Sequence, residues 1–135
     1  MPYVNVKIVK EQILPEQKIR VVEGLTDLIE GIMKRDRNMT VITIDEVCED
    51  QWAIGGKLIN QIPAGGVLTF INIKVSKGTT NPEEVREMMA AAKELMIEIF
   101  GNSHECNYFI IDELNPDCWG FDGVSMSDRR NMNNK

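Results

Sequence analysis

An internal duplication with no gap in it limits this chain's folding options more than any other feature. VNVK at 4–7 returns as INIK at 71–74, Pro15-Glu16 as Pro82-Glu83, Asp45-Glu46 as Asp112-Glu113, Trp52 as Trp119 and Gly56 as Gly123, each pair 67 positions apart. A chain of 135 residues lies within the size of one domain with one core. Two such units are therefore expected as halves of a single domain: a first unit over 2–58, a linker over 59–67, a second unit over 68–125 and a polar, loose tail over 126–135. The duplication fails at one chemically important place. Pro2 opens the first unit and Thr69 stands at the matching position of the second, so loss of the initiator methionine frees a secondary amine in one half only.

Within each unit the apolar period changes twice. Val4, Val6 and Ile8 alternate with Asn5 and Lys7, which predicts a strand over 3–9 with one apolar face. From Pro15 the apolar residues Ile19, Val22, Leu25, Leu28 or Ile29, and Ile32 follow three- and four-residue steps, predicting a helix to about Arg35. Residues 41–44 form a second strand. Strand, helix and strand in that order imply a right-handed βαβ crossover with parallel strands. The second copy repeats the pattern with a strand over 70–75, a helical stripe from Val85 to Ile99 and a strand over 108–111. Asn81 before Pro82 is a good helix cap, whereas Leu14 before Pro15 is a poor one. Gly55-Gly56 predicts a small hairpin over 52–58. The expected fold is α/β (α+β): tandem βαβ repeats in a four-stranded sheet with both helices on one face. The other face would carry Tyr3, Asn5, Lys7, Phe70, Asn72 and Lys74, a mixture expected to close against other copies in a homotrimer.

Composition excludes several partners. A formal charge of −6, with scattered Lys and Arg, argues against nucleic acid. No apolar stretch approaches the roughly 20 residues of a membrane helix, and the N-terminus lacks the layout of a signal peptide, so the expected compartment is the cytoplasm. Cys48, Cys106 and Cys118 are odd in number and form no C-x-x-C pair, which signals neither a disulfide framework nor a zinc site. There is no Gly-rich phosphate loop and no cluster with metal spacing; no cofactor is expected. His104 reads as a loop residue, and Met88, Met89 and Met96 as core filling.

The Met-Pro start, a βαβ unit of that size and W-A-I-G-G-K-L at 52–58 together resemble the tautomerase superfamily. The pattern is most similar to the 4-oxalocrotonate tautomerase group in its fused, two-repeat form, which assembles as trimers. The resemblance implies an isomerase in which Pro2 acts on a small 2-oxo or 2-hydroxy-dienoic acid. The residue's own chemistry agrees: an α-amino group titrates near pH 8 in the open, and apolar burial lowers that value toward neutrality. The resemblance further implies an aromatic wall beside the proline, at Trp52, with Trp119 as its repeat partner. That group places one arginine just after the first strand and another on the second; here Gln12, Ile13, Leu14 and Val41 stand at those positions. Lys10, Lys74 and Lys77 are the replacement cations. Lys77 is the preferred carboxylate binder, because the dehalogenase and decarboxylase branches carry paired cations near the end of the second copy's first strand. In those branches, the resemblance implies, Pro2 stays protonated while another group activates water on a three-carbon acid; Asp50 or its repeat partner Asp117, each two residues before a Trp, is the candidate carboxylate here. A non-catalytic trimeric binding protein is the alternative from a different class.

Overall fold

Alternation of apolar and polar residues along the first strand is realised in a computed structural model that describes residues 1–133. Strand β1 (Tyr3–Val9) buries Val4, Val6 and Ile8 and turns Tyr3, Asn5 and Lys7 to the opposite face. Helix α1 (Pro15–Gly31), strand β2 (Val41–Val47) and the hairpin β3 (Ala53–Ile54) and β4 (Lys57–Leu58) complete the first unit. The second unit runs β5 (Thr69–Ser76), α2 (Pro82–Phe100), β6 (Tyr108–Leu114) and the hairpin β7 (Gly120–Phe121) and β8 (Val124–Ser125). Strands β1 and β2 are parallel, as are β5 and β6, while β1 and β5 are antiparallel in a sheet ordered β2-β1-β5-β6. Asn5 pairs with Asn72, its own counterpart, so the internal two-fold passes between them.

Both helices cover one face. Val21, Leu25 and Ile29 of α1 and Met88, Ala92, Met96 and Ile99 of α2 form one cluster with Val4, Val6, Ile8, Ile71, Ile73 and Val75 of the sheet. The helices touch closely at Gly24, where an added Cβ would lie 2.5 Å from Leu95 Cδ1. Helix α2 is capped as its sequence predicts: Asn81 Oδ1 accepts the Glu84 N–H at 2.9 Å, Pro82 takes the first turn and Gly101 ends it with φ 83°. Leu14 supplies no side-chain cap to α1, and Gln17 Oε1 instead accepts the Leu14 N–H at 2.8 Å.

Two expectations are corrected. The first helix was expected to reach Arg35 but ends at Gly31. Lys34, the counterpart of Gly101, adopts a left-handed φ of 57°, and the Arg35 N–H returns to the Ile29 carbonyl at 3.3 Å. Arg35 thus leaves the helix and reaches the end of the sheet. The segment expected to be a loose tail forms helix α3 (Met126–Asn133). Its first N–H donates to the Trp119 carbonyl at 2.9 Å, just as Ile59 donates to Trp52 at 2.9 Å in the first unit. The repeat therefore continues past 125, and residues 134 and 135 of the expected tail lie outside the described residues.

Candidate active site

Antiparallel pairing of β1 with β5 decides which residues meet Pro2. Tyr3 faces Lys74 across the ladder, so the chain start runs beside Val75, Ser76 and the turn at Lys77. Pro2 is buried, and its carbonyl accepts the Val41 N–H at 3.4 Å, fixing it between β2 and β5. From the second unit, Trp119 reaches the same end of the sheet: its indole Nε1 donates to Ser76 Oγ at 3.0 Å. Trp52 lies elsewhere. It follows β2 at the far end of the sheet, about 20 Å from Pro2 for a seven-residue strand, and lines a cleft with Thr69. Within one chain, then, the indole on Pro2's side is that of Trp119, because each hairpin crosses to the start of the other unit's first strand.

Arg35 is the cation that sequence reasoning missed. Its Nη2 donates to the Thr79 carbonyl at 2.8 Å and to Thr79 Oγ1 at 2.9 Å, tying the end of α1 to the turn after β5. Its Nε is buried without a partner. The Met1 amine, one residue before Pro2, is held below the ordinary α-amino value, first by burial, then by the positive charge of Arg35, with Asp36 pulling the other way. K-R-D-R at 34–37 carried the signal, hidden because the apolar stripe assigned Arg35 to the last helical turn.

The candidate lysines divide. Lys77 is exposed at the Pro2 end, and its N–H donates to the Leu114 carbonyl at 2.8 Å. Lys74 is engaged on the uncovered face with Asp112 at 2.9 Å, and Lys7 with Asp45 at 3.0 Å. Asn72 and Asn5 also donate to those carboxylates, which are held below the ordinary aspartate value by the lysines first and the asparagines second. Lys10 sits past the far end of β1. Asp50 is exposed beside Trp52, and Asp117 is exposed with its N–H on Asn115 Oδ1. Asp36 is the carboxylate beside the chain start. Cys48 is half-buried and Cys106 and Cys118 are exposed, all as free thiols. Among the described residues no group of His, Cys, Asp and Glu has the arrangement to hold a metal, and no helix is long and apolar enough to cross a membrane.

At Thr69 the counterpart nitrogen is occupied. The Thr69 N–H donates to Asn107 Oδ1 at 2.9 Å, the Leu68 N–H to Gln12 Oε1 at 2.8 Å and the Val67 N–H to Asn102 Oδ1 at 2.8 Å. His104 is a loop residue, as expected, with Nδ1 accepting the Cys106 N–H at 2.9 Å.

A sheet of two βαβ halves, helices on one face and a proline opening one inner strand define the class: a fused, two-repeat tautomerase-like fold. The sequence model of the family described as "Tautomerase enzyme" matches residues 2–62 and 70–129, and the chain belongs to this family of isomerases. A probable tautomerase K2 from Dickeya dadantii is 38% identical over 61 residues, covering 45% of this chain and 91% of the relative. A probable tautomerase from Helicobacter pylori strain J99 is 34% identical over 64 residues, covering 46% and 94%. These relatives each span one repeat. Among solved structures, native fused 4-OT superposes with a TM-score of 0.82 at 15% identity over 93% of this chain and 97% of the other. An asymmetric trimer of fused 4-OT gives 0.81 at 16% identity over 94% and 98%.

Proposed function

We propose that this enzyme transfers a proton within a small unsaturated or 2-oxo carboxylic acid, using the Pro2 nitrogen as base once Met1 is removed. The neutral amine takes the enol O–H proton of a 2-hydroxy-dienoic acid, and the ammonium so formed returns a proton to carbon. The product is the 2-oxo isomer, the base is restored and no cofactor takes part. One observation carries the reading: Pro2 is buried, and the Met1 amine one residue before it is held below its ordinary value first by burial and then by Arg35, effects that would act in the same direction on a Pro2 amine at that place. Arg35 then faces the substrate carboxylate and Lys77 adds a second, exposed cation. Trp119 walls the site, while Trp52 lines the cleft at Thr69. A homotrimer, the form described for the similar fused 4-OT structures, is the expected assembly.

Mass spectrometry of the purified chain must find Met1 absent. Ketonisation of phenylenolpyruvate or 2-hydroxymuconate by Pro2→Ala is then expected to fall about 10²–10⁴-fold, the worth of a positioned base. Equal rates in wild type and variant would leave a non-catalytic trimeric binding protein. Asp36 favours a second reading, hydration, dehalogenation or decarboxylation of a three-carbon acid, because its charge raises the amine's proton affinity and its carboxylate can take a proton from water. Turnover of 3-haloacrylates or malonate semialdehyde, lost in Asp36→Asn, marks that branch; no turnover of either removes it.

A further inference from the structure

We infer, on the reading of Pro2 as base and Arg35 as carboxylate binder, that the turn Ser76–Thr79 is the positioning element of that site: Ser76 sets the Trp119 indole and Thr79 sets the Arg35 guanidinium. The turn leaves β5 through Gly78, at a left-handed φ of 84°. Its hydrogen-bond directions follow from the groups themselves. An indole nitrogen can only donate, so Ser76 Oγ accepts from Trp119 Nε1 at 3.0 Å. A guanidinium can only donate too, so Thr79 Oγ1 accepts from Arg35 Nη2 at 2.9 Å and gives its own hydrogen to the Ser76 carbonyl at 2.6 Å. The Thr79 carbonyl accepts from the same Nη2 at 2.8 Å. Wall and cation are thus anchored on two residues three positions apart, and Ser76 is buried.

The internal repeat supplies the control. At 67 positions' remove, Val9, Gln12, Asn102 and Trp52 stand for Ser76, Thr79, Arg35 and Trp119. Valine offers the Trp52 indole no acceptor. Gln12 and Asn102 turn to the backbone entering β5, where they take the Leu68 and Val67 N–H groups at 2.8 Å each. The tryptophan is therefore kept in both halves, but the serine, threonine and arginine occur only in the half where a proline nitrogen can be freed. A fastening between helix and turn needs no charge. Here it uses an arginine whose Nε stays buried without a partner, which leaves a donor for an incoming anion.

Phenylpyruvate brought to keto–enol equilibrium allows calorimetric titration of the full-length protein without net turnover. Thr79→Val, which keeps the side chain's shape and loses its oxygen, is expected to raise Kd about fivefold, and Thr79→Ser to restore it. The methyl ester presents no carboxylate to Arg35, so it is expected to bind wild type and Thr79→Val alike and to report that the variant is folded. Ser76→Ala is expected to lower kcat/KM for phenylenolpyruvate about threefold and to change nothing further in a Trp119→Phe background, where no indole N–H remains to be held. No loss in Thr79→Val, equal losses for acid and ester, no rescue by Thr79→Ser, or a Ser76→Ala effect that survives Trp119→Phe would overturn the inference, as would a wild type that binds no phenylpyruvate. Equal turnover by wild type and Pro2→Ala sinks the base alone, because the Kd values read Thr79 and Arg35 without catalysis.

Discussion

An amine serves as a base only while unprotonated, and two neighbouring charges set that condition at the start of this chain. Burial and Arg35 lower the proton affinity of the Met1 amine while Asp36 raises it, and the same neighbours would act on a Pro2 amine one residue further on. A lowered value means that the neutral form persists to lower pH, so the acid limb of kcat/KM lies below the ordinary α-amino range. Arg35→Gln removes the positive charge and should move that limb to higher pH, with KM for the acid rising as well. Asp36→Asn removes the negative charge and should move the limb to lower pH. A pH profile of the three proteins checks both signs, and limbs that coincide would detach these residues from the site. In the sequence only the charge cluster K-R-D-R at 34–37 hinted at this, and the spacing of apolar residues placed Arg35 on a helix. What brings it to Pro2 is the left-handed turn at Lys34, a conformation that a lysine, unlike the glycine at 101, does not advertise.

At the scale of elements the two helices are start-capped differently although their strands match. Asn81 accepts a backbone N–H and Leu14 does not, so Asn81→Ala is expected to cost about 1 kcal/mol in urea unfolding. Gly24 has a different task. A Cβ there meets the Leu95 side chain at 2.5 Å, so any larger residue obliges Leu95 to shift, and the glycine answers to the approach of α2 and not to its φ. Gly24→Val should cost about 1–3 kcal/mol through overpacking. Combined with Leu95→Ala, which removes the obstructing atoms, the loss should be less than the sum of the single losses. Additive losses would mean that the helices do not meet there. The 67-residue step made these elements legible in order and kind, since each half repeats the same change of period. It hid the helix formed by α3, because the polar composition of 126–133 gives no apolar stripe and its start is fixed by the Trp119 carbonyl.

For the whole molecule, the parallel pairing within each half and a four-stranded sheet were implied by duplication, but the pairing of β1 with β5 was not, and that pairing exchanges the tryptophans between the two ends of the sheet. The uncovered face follows the same two-fold. Asn5, Lys7 and Asp45 form one polar ladder and Asn72, Lys74 and Asp112 another, while the hydrogen-bonded Tyr3 and Thr43 of the first unit are replaced by Phe70 and Ile110 in the second. Both aspartates are held below their ordinary value of 3.8 in the fold. Their contribution is therefore complete above about pH 4 and is lost as pH falls through the lower folded value. In a single chain this effect is small, because the Lys74 and Asp112 side chains are 36% and 40% exposed and water screens the pair. If three copies close around this face, the ladders leave water, and breaking a pair then strands a desolvated charge. Lys74→Met should accordingly dissociate the trimer at pH 7 more than it lowers the unfolding free energy of the chain. Wild type taken below pH 4 should lose its trimer by light scattering before its helices by circular dichroism. Simultaneous loss of both signals, or a monomer at pH 7, would place the ladders on open surface.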